Sequence, residues 1–152
     1  MASTRRQTAL AAIDAVNAWD ISRIMAVRAP NCEQQILPKS LNRPSMNNEA
    51  YEKHFERIKN LLRNYHLAVE EILEDTGANK IVISAHSYAD TPVGPYSIDY
   101  MLVLHFTDDG TKITRVSEWV DSAVFSEFSA RLVAAMAGSG TNMVVTEDFG
   151  TN

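Results

Sequence analysis

The sequence predicts an α+β fold, on three observations. Apolar residues recur at helical spacing near both ends of the chain, over residues 3–18 and 122–137. Between them three runs, IVISAHSYAD (81–90), YSIDYMLVLHF (96–106) and KITRVSEWVD (112–121), alternate apolar with polar side chains and are rich in β-branched and aromatic residues. The connections between those runs carry Pro, Gly and Asp, so the runs are expected to form an antiparallel meander.

In chain order, Leu10, Ile13, Ala15 and Val16 mark a first helix with Ser3 or Thr4 as its N-cap. A second, shorter helix starts after Trp19, is capped by Asp20, turns Ile21, Ile24, Met25 and Val27 inward, and ends before Pro30. CEQQIL (32–37) reads as a short strand stopped by Pro38, and PKSLNRPSMNN (38–48) as a loop suited to a pocket mouth. Asn47 or Asn48 caps a third helix running to about residue 64. Its stripe is Tyr51, Phe55, Ile58 and Leu61 or Leu62, with His54 at the edge. Residues 65–75 form a strand and 75–79 a turn before the meander. The last helix, from Ser122 to about Ala137, puts Val124, Phe125, Phe128, Leu132 and Val133 on one side and ends at Gly138-Ser139-Gly140. Residues 1–137 make one domain, and 138–152 a polar tail interrupted by Met143, Val144 and Val145.

Turn chemistry suggests a register. A three-residue loop over Asp108-Asp109-Gly110, with Gly110 at positive φ, pairs Thr107 with Thr111 and so Tyr100 with Glu118; a four-residue loop pairs Met101 with Glu118 instead. In the preceding hairpin, a 91–95 loop pairs Asp90 with Tyr96 and His86 with Tyr100. His86, Tyr100 and Glu118 then form a row on one face. With strands about 4.8 Å apart, the outer two stand roughly 10 Å apart, enough to flank a small molecule. Ile98, Leu102, Val116 and Val120 share that face, giving the apolar wall with a few polar groups expected of a ligand site.

Composition narrows the partners. A 152-residue chain with 45% hydrophobic residues can bury a core and leave a pocket. A net charge of −5, with no Lys/Arg cluster, argues against nucleic acid. No apolar run is long enough to span a membrane, MASTRRQTALAA lacks a continuous apolar signal region, and the lone Cys32 fits a reducing compartment, so a cytoplasmic location is expected. The histidines at 54, 66, 86 and 105 have no metal-ligand spacing, and neither a phosphate loop nor a serine nucleophile elbow is present.

The wording of RAPNCEQQILPKSLNRP, NNEAYEKHF, ADTPVGPYSIDYMLVLHFTDDGTKITRVSEWVDSA and SEFSARL, within residues 8–133, resembles the fungal branch of the SnoaL-like family. These are cyclases and isomerases with the cone-shaped nuclear transport factor 2-like fold. The nearest likeness is to the enzymes that rearrange the D-ring lactone of meroterpenoids in austinol- and terretonin-type pathways. The resemblance implies a curved antiparallel sheet with N-terminal helices and a closing C-terminal helix, a homodimer, no cofactor, and a hydrophobic substrate held between acid and base groups. Glu118-Trp119-Val120-Asp121 is similar to the run that carries the catalytic carboxylate in the related limonene epoxide hydrolases, which points to Glu118. Gln34 stands where the fungal pattern leads one to expect histidine.

The function expected is a cofactor-independent isomerase or cyclase working by general acid–base proton transfer. The alternatives are an epoxide or lactone hydrolase and a non-catalytic ligand-binding dimer. Catalysis is assigned to Glu118, His86 and Asp121, although Asp121 is also a natural N-cap for the last helix and His86 equally an exposed strand residue. Desolvation on an apolar concave face raises a carboxyl pKa and makes Glu118 a usable acid or base. Gln34, Tyr51, His54, Tyr88 and Tyr100 are the substrate-binding candidates, while Tyr96 reads as wall. The opposite sheet face, with Asp99, Met101, Val103, His105 and Trp119, needs a cover, and a second copy of the chain is expected to supply it.

Overall fold

The computed structural model describes residues 1–138; the tail beyond Gly138, with Met143, Val144 and Val145, lies outside the described residues. Helices α1 (Thr4–Asn17) and α2 (Ile21–Ala26) lead into β1 (Arg28–Leu37). After a 3-10 turn (Lys39–Leu41) come α3 (Asn48–Ile58) and four long strands, β2 (Arg63–Asp75), β3 (Lys80–Thr91), β4 (Gly94–Phe106) and β5 (Ile113–Val120). Helix α4 (Ser122–Ala137) follows. The five strands form one sheet in the order β1-β5-β4-β3-β2. The fold is the expected α+β cone. Its sheet is mixed rather than wholly antiparallel, because β1 runs parallel to β5 while the other pairings are antiparallel.

Local chemistry sets the helix starts. Ser3, Asp20 and Asn47 each accept a hydrogen bond from the backbone N–H three residues on, so each first turn has one donor satisfied. Helix α1 packs Ala9 and Ile13 inward and leaves Leu10 exposed. Helix α3 stops at Ile58, short of residue 64, and Asn64, with φ of 53°, is the second residue of β2, where the pairing with β3 is irregular. Strand β1 begins four residues earlier than expected, at Arg28.

The sheet's inner face is the core. Ile81, Ile83, Ala85, Ser87 and Ala89 of β3 are buried, as are Tyr96, Ile98, Tyr100 and Leu104 of β4. Phe125, Phe128 and Leu132 of α4 join that core, with Phe128 edge-on to Tyr96 at 4.8 Å.

Both hairpins correct the expected register. Thr91 pairs with Gly94, so Pro92-Val93 is a two-residue loop and His86 lies opposite Asp99, not Tyr100. That one-residue slip sends His86 to the outer face and brings Ala85 beside Tyr100. In the second hairpin the Thr107 N–H bonds the Lys112 carbonyl, making a four-residue loop. A bulge then falls between the pairs Phe106↔Ile113 and His105↔Arg115. Together they move the register by two residues, so that Glu118 faces Leu102 and Tyr100 faces Val120. Two is the period of a strand, and Glu118 therefore keeps its place on the inner face.

Candidate active site

A cavity of about 170 Å³ lies between the inner sheet face and the helices, walled by Ile13, Phe55, Ile83, Leu102, Val116 and Phe125 among others. Into this apolar space project Glu118 from β5, Arg28 and Gln34 from β1, Tyr51 and His54 from α3, Tyr65 from β2, and Tyr96 and Tyr100 from β4. Met46, from the loop before α3, also lines it, and that loop is tied to β1 by paired backbone bonds between Met46 and Gln34.

Glu118 ends a bonded chain. The Gln34 side-chain amide donates to Glu118 Oε2 at 2.9 Å, and its own oxygen accepts from Arg28 Nη1 at 2.8 Å. Arg28 Nε donates to Asn48 Oδ1 at 2.8 Å, and the guanidinium lies over the Tyr51 ring, 4.4 Å from its centroid. Burial in the cavity wall raises the Glu118 pKa above the usual carboxylate value, while the bond from Gln34 and the nearby His54 pull it back. The residue as a whole is half-buried and lines the cavity.

The tyrosines form a second polar group. Tyr96 and Tyr100 hydroxyls are 2.6 Å apart, and Ser87, fully buried, sits beside Tyr65 and Tyr100 without making a hydrogen bond of good geometry. Burial pushes the Tyr65, Tyr96 and Tyr100 phenols well up, and Tyr51 to about 12. At neutral pH all four are neutral, and because one of Tyr96 and Tyr100 donates its proton to the other, only one hydroxyl of that pair is left to donate to a substrate oxygen.

The structure thus gathers Glu118, Gln34, Tyr51, His54 and Tyr100 around one cavity and leaves three predicted residues out. His86 is on the outer face, with Nδ1 2.5 Å from Asp99 and Nε2 2.7 Å from Ser97. Tyr88 shares that face, 51% exposed, with its ring 4.5 Å from the His86 ring. Asp121 caps α4, its Oδ1 accepting from the Ala123 and Val124 N–H groups at 3.1 and 3.2 Å. Arg28 and Tyr65 were missed, and Tyr96 was read only as wall. For Arg28 the helical reading of residues 21–27 hid the strand; for Tyr65 the inward parity of Leu67, two residues on, was a usable signal. Among the described residues no group of three or more potential ligands is placed to hold a metal, and no helix is long and apolar enough to cross a membrane.

No family model matches the chain. Core atranone cluster protein 11 of Stachybotrys chlorohalonatus is 34% identical over 130 residues, covering 86% of this chain and 97% of that protein. The chain belongs to the fungal SnoaL-like family. BvnE pinacolase from Penicillium brevicompactum superposes with a TM-score of 0.83 at 27% identity, covering 87% of this chain and 96% of that one. Another relative, 28% identical over 144 residues (95% of this chain, 90% of that protein), is named monooxygenase AacuO, from Aspergillus aculeatus. A further relative is austinoid biosynthesis cluster protein J of Aspergillus calidoustus, 27% identical over 138 residues, 87% of this chain and 84% of that protein.

Proposed function

We propose that this SnoaL-like protein is a cofactor-free isomerase or cyclase of fungal meroterpenoid metabolism that moves protons on a hydrophobic substrate through Glu118. One observation carries the reading: a single carboxyl with a raised pKa, on an apolar cavity wall, with one oxygen held by Gln34. The relatives' names, an atranone cluster protein, an austinoid cluster protein and a pinacolase, support the metabolic setting and the rearrangement chemistry.

On a lactone or β-dicarbonyl substrate, Glu118 takes a proton from carbon or hydroxyl, and a phenol of the tyrosine group donates a hydrogen bond to the oxygen that gains charge. The ring opens, another oxygen closes it, and Glu118 returns the proton, so the product is an isomer. His54, which lines the cavity where His86 does not, serves the opposite end. General acid–base groups contribute roughly 10²- to 10⁴-fold, about 3 to 5 kcal/mol of barrier. Glu118→Gln should therefore lose turnover by that factor while keeping its circular dichroism spectrum. The substrate for this assay is the intermediate that accumulates when the gene is deleted. Full activity of the Gln variant removes Glu118 from the mechanism.

The monooxygenase name of several relatives favours a second reading, oxygen insertion. Isotopes separate the possibilities. An isomerase incorporates label from neither ¹⁸O₂ nor H₂¹⁸O, a monooxygenase takes it from the gas, and a lactone or epoxide hydrolase from water. We also propose a homodimer through the outer sheet face, where Leu73, Tyr88, Met101 and Trp119 are exposed together.

A further inference from the structure

Arg28 cannot accept a hydrogen bond, so the Gln34 atom facing it must be the amide oxygen. The Gln34 nitrogen is then committed to Glu118. Arg28 is itself fixed, 6% exposed, by Asn48 at the start of α3 and by the Tyr51 ring beneath it. Without that anchor the Gln34 amide is free to rotate by 180° and present its oxygen to Glu118. An acceptor there favours the protonated carboxyl, whereas a donor favours the carboxylate.

We infer that Arg28 is a positioning residue: it locks the Gln34 amide as a donor to Glu118 Oε2, and so confines proton exchange with substrate to Oε1. The catalytic meaning of this lock rests on the reading of Glu118 as the acid–base group. Its effect on the titration of Glu118 does not. The other groups facing that carboxyl are His54 and Tyr51 on α3, Tyr65 on β2, and Tyr96 and Tyr100 on β4, and all are unchanged in the variants below.

The test needs no substrate. Protein labelled with ¹³C at the glutamate carboxyls is titrated by NMR, and the Glu118 signal is the one absent from Glu118→Gln. Arg28→Met should raise the Glu118 midpoint by about one to two units, the worth of a hydrogen bond to a charged group, and Arg28→Lys should bring it most of the way back. In a Gln34→Met background, Arg28→Met should move it little, since no amide remains to orient. An equal shift in both backgrounds means Arg28 acts through its charge alone and overturns the inference, as does no shift in either. If the Met variant does not fold, the wild-type protein still decides: a Gln34 side-chain amide proton should titrate together with Glu118 while the Arg28 guanidinium protons stay protected from exchange, and an amide proton that ignores Glu118, or a freely exchanging Arg28, overturns the inference. Loss of turnover in Glu118→Gln with an additive cycle sinks this inference alone. Full turnover with a non-additive cycle sinks the proposed function alone.

Discussion

At the residue scale Glu118 opposes folding as the solution becomes more basic. Its pKa is raised in the native state, chiefly by burial, so between the unfolded and folded values the native protein holds more of the proton than the unfolded chain does. Stability contributed by the neutral carboxyl is fully present below the unfolded value and is lost as pH rises through the folded one. Glu118→Gln should therefore melt higher than wild type at pH 8 and show a smaller difference at pH 4, a comparison made by thermal unfolding at the two pH values. Asp121 gives the contrasting case. As the cap of α4, its replacement by Ala should cost about 1 kcal/mol in urea unfolding and leave turnover within a few-fold. A drop of a hundredfold in the folded variant would return Asp121 to the mechanism. The two roles of Asp121 were both visible in the sequence, but only coordinates separate a cap from a cavity group.

At the element scale the hairpins decide which residues meet. Gly110 has φ of 73°, and its carbonyl accepts from Thr8 Oγ1 at 2.7 Å, tying α1 to the β4–β5 turn. A Cβ there would lie 2.9 Å from Arg5 Cγ and 3.1 Å from the Arg5 backbone nitrogen. Gly110→Ala should lose at least about 1 to 2 kcal/mol, from the left-handed backbone alone, measured by chemical unfolding. Stability equal to wild type would mean that the turn rearranges freely. The positive φ of Gly110 was legible from its neighbours; the loop length was not, because a turn and a bulge act together on the register. For β3 the information was present but outweighed. Ile81, Ile83, Ala85 and Ala89 share one parity, which by itself puts His86 on the other face, whereas the turn residues Pro92 and Gly94 suggested a longer loop.

At the scale of the whole molecule the sheet has two apolar faces, one filled by helices and one left open. Leu73 pairs with the half-buried Val82 and Val82 with the half-buried Val103, while Met101 pairs with Trp119; the exposed Leu73, Tyr88, Met101 and Trp119 come one each from four strands. The proposed homodimer predicts that Met101→Asp with Trp119→Asp sediments as a monomer at micromolar concentration where the wild type sediments as a dimer. A monomeric wild type ends that proposal.

The sequence by itself determined the order and type of the main elements, the helix caps to within a residue, and the shared parity of Val116, Glu118 and Val120, because helix spacing, capping and strand alternation are local patterns with fixed periods. The tertiary structure alone decided the company Glu118 keeps. Gln34 lies 84 residues away in the chain and reaches Glu118 only because β1 runs parallel alongside β5, and Arg28 arrives on the same strand. Pairing between distant strands depends on how loops, bulges and burial add up over the whole chain, and no short stretch of residues records that sum.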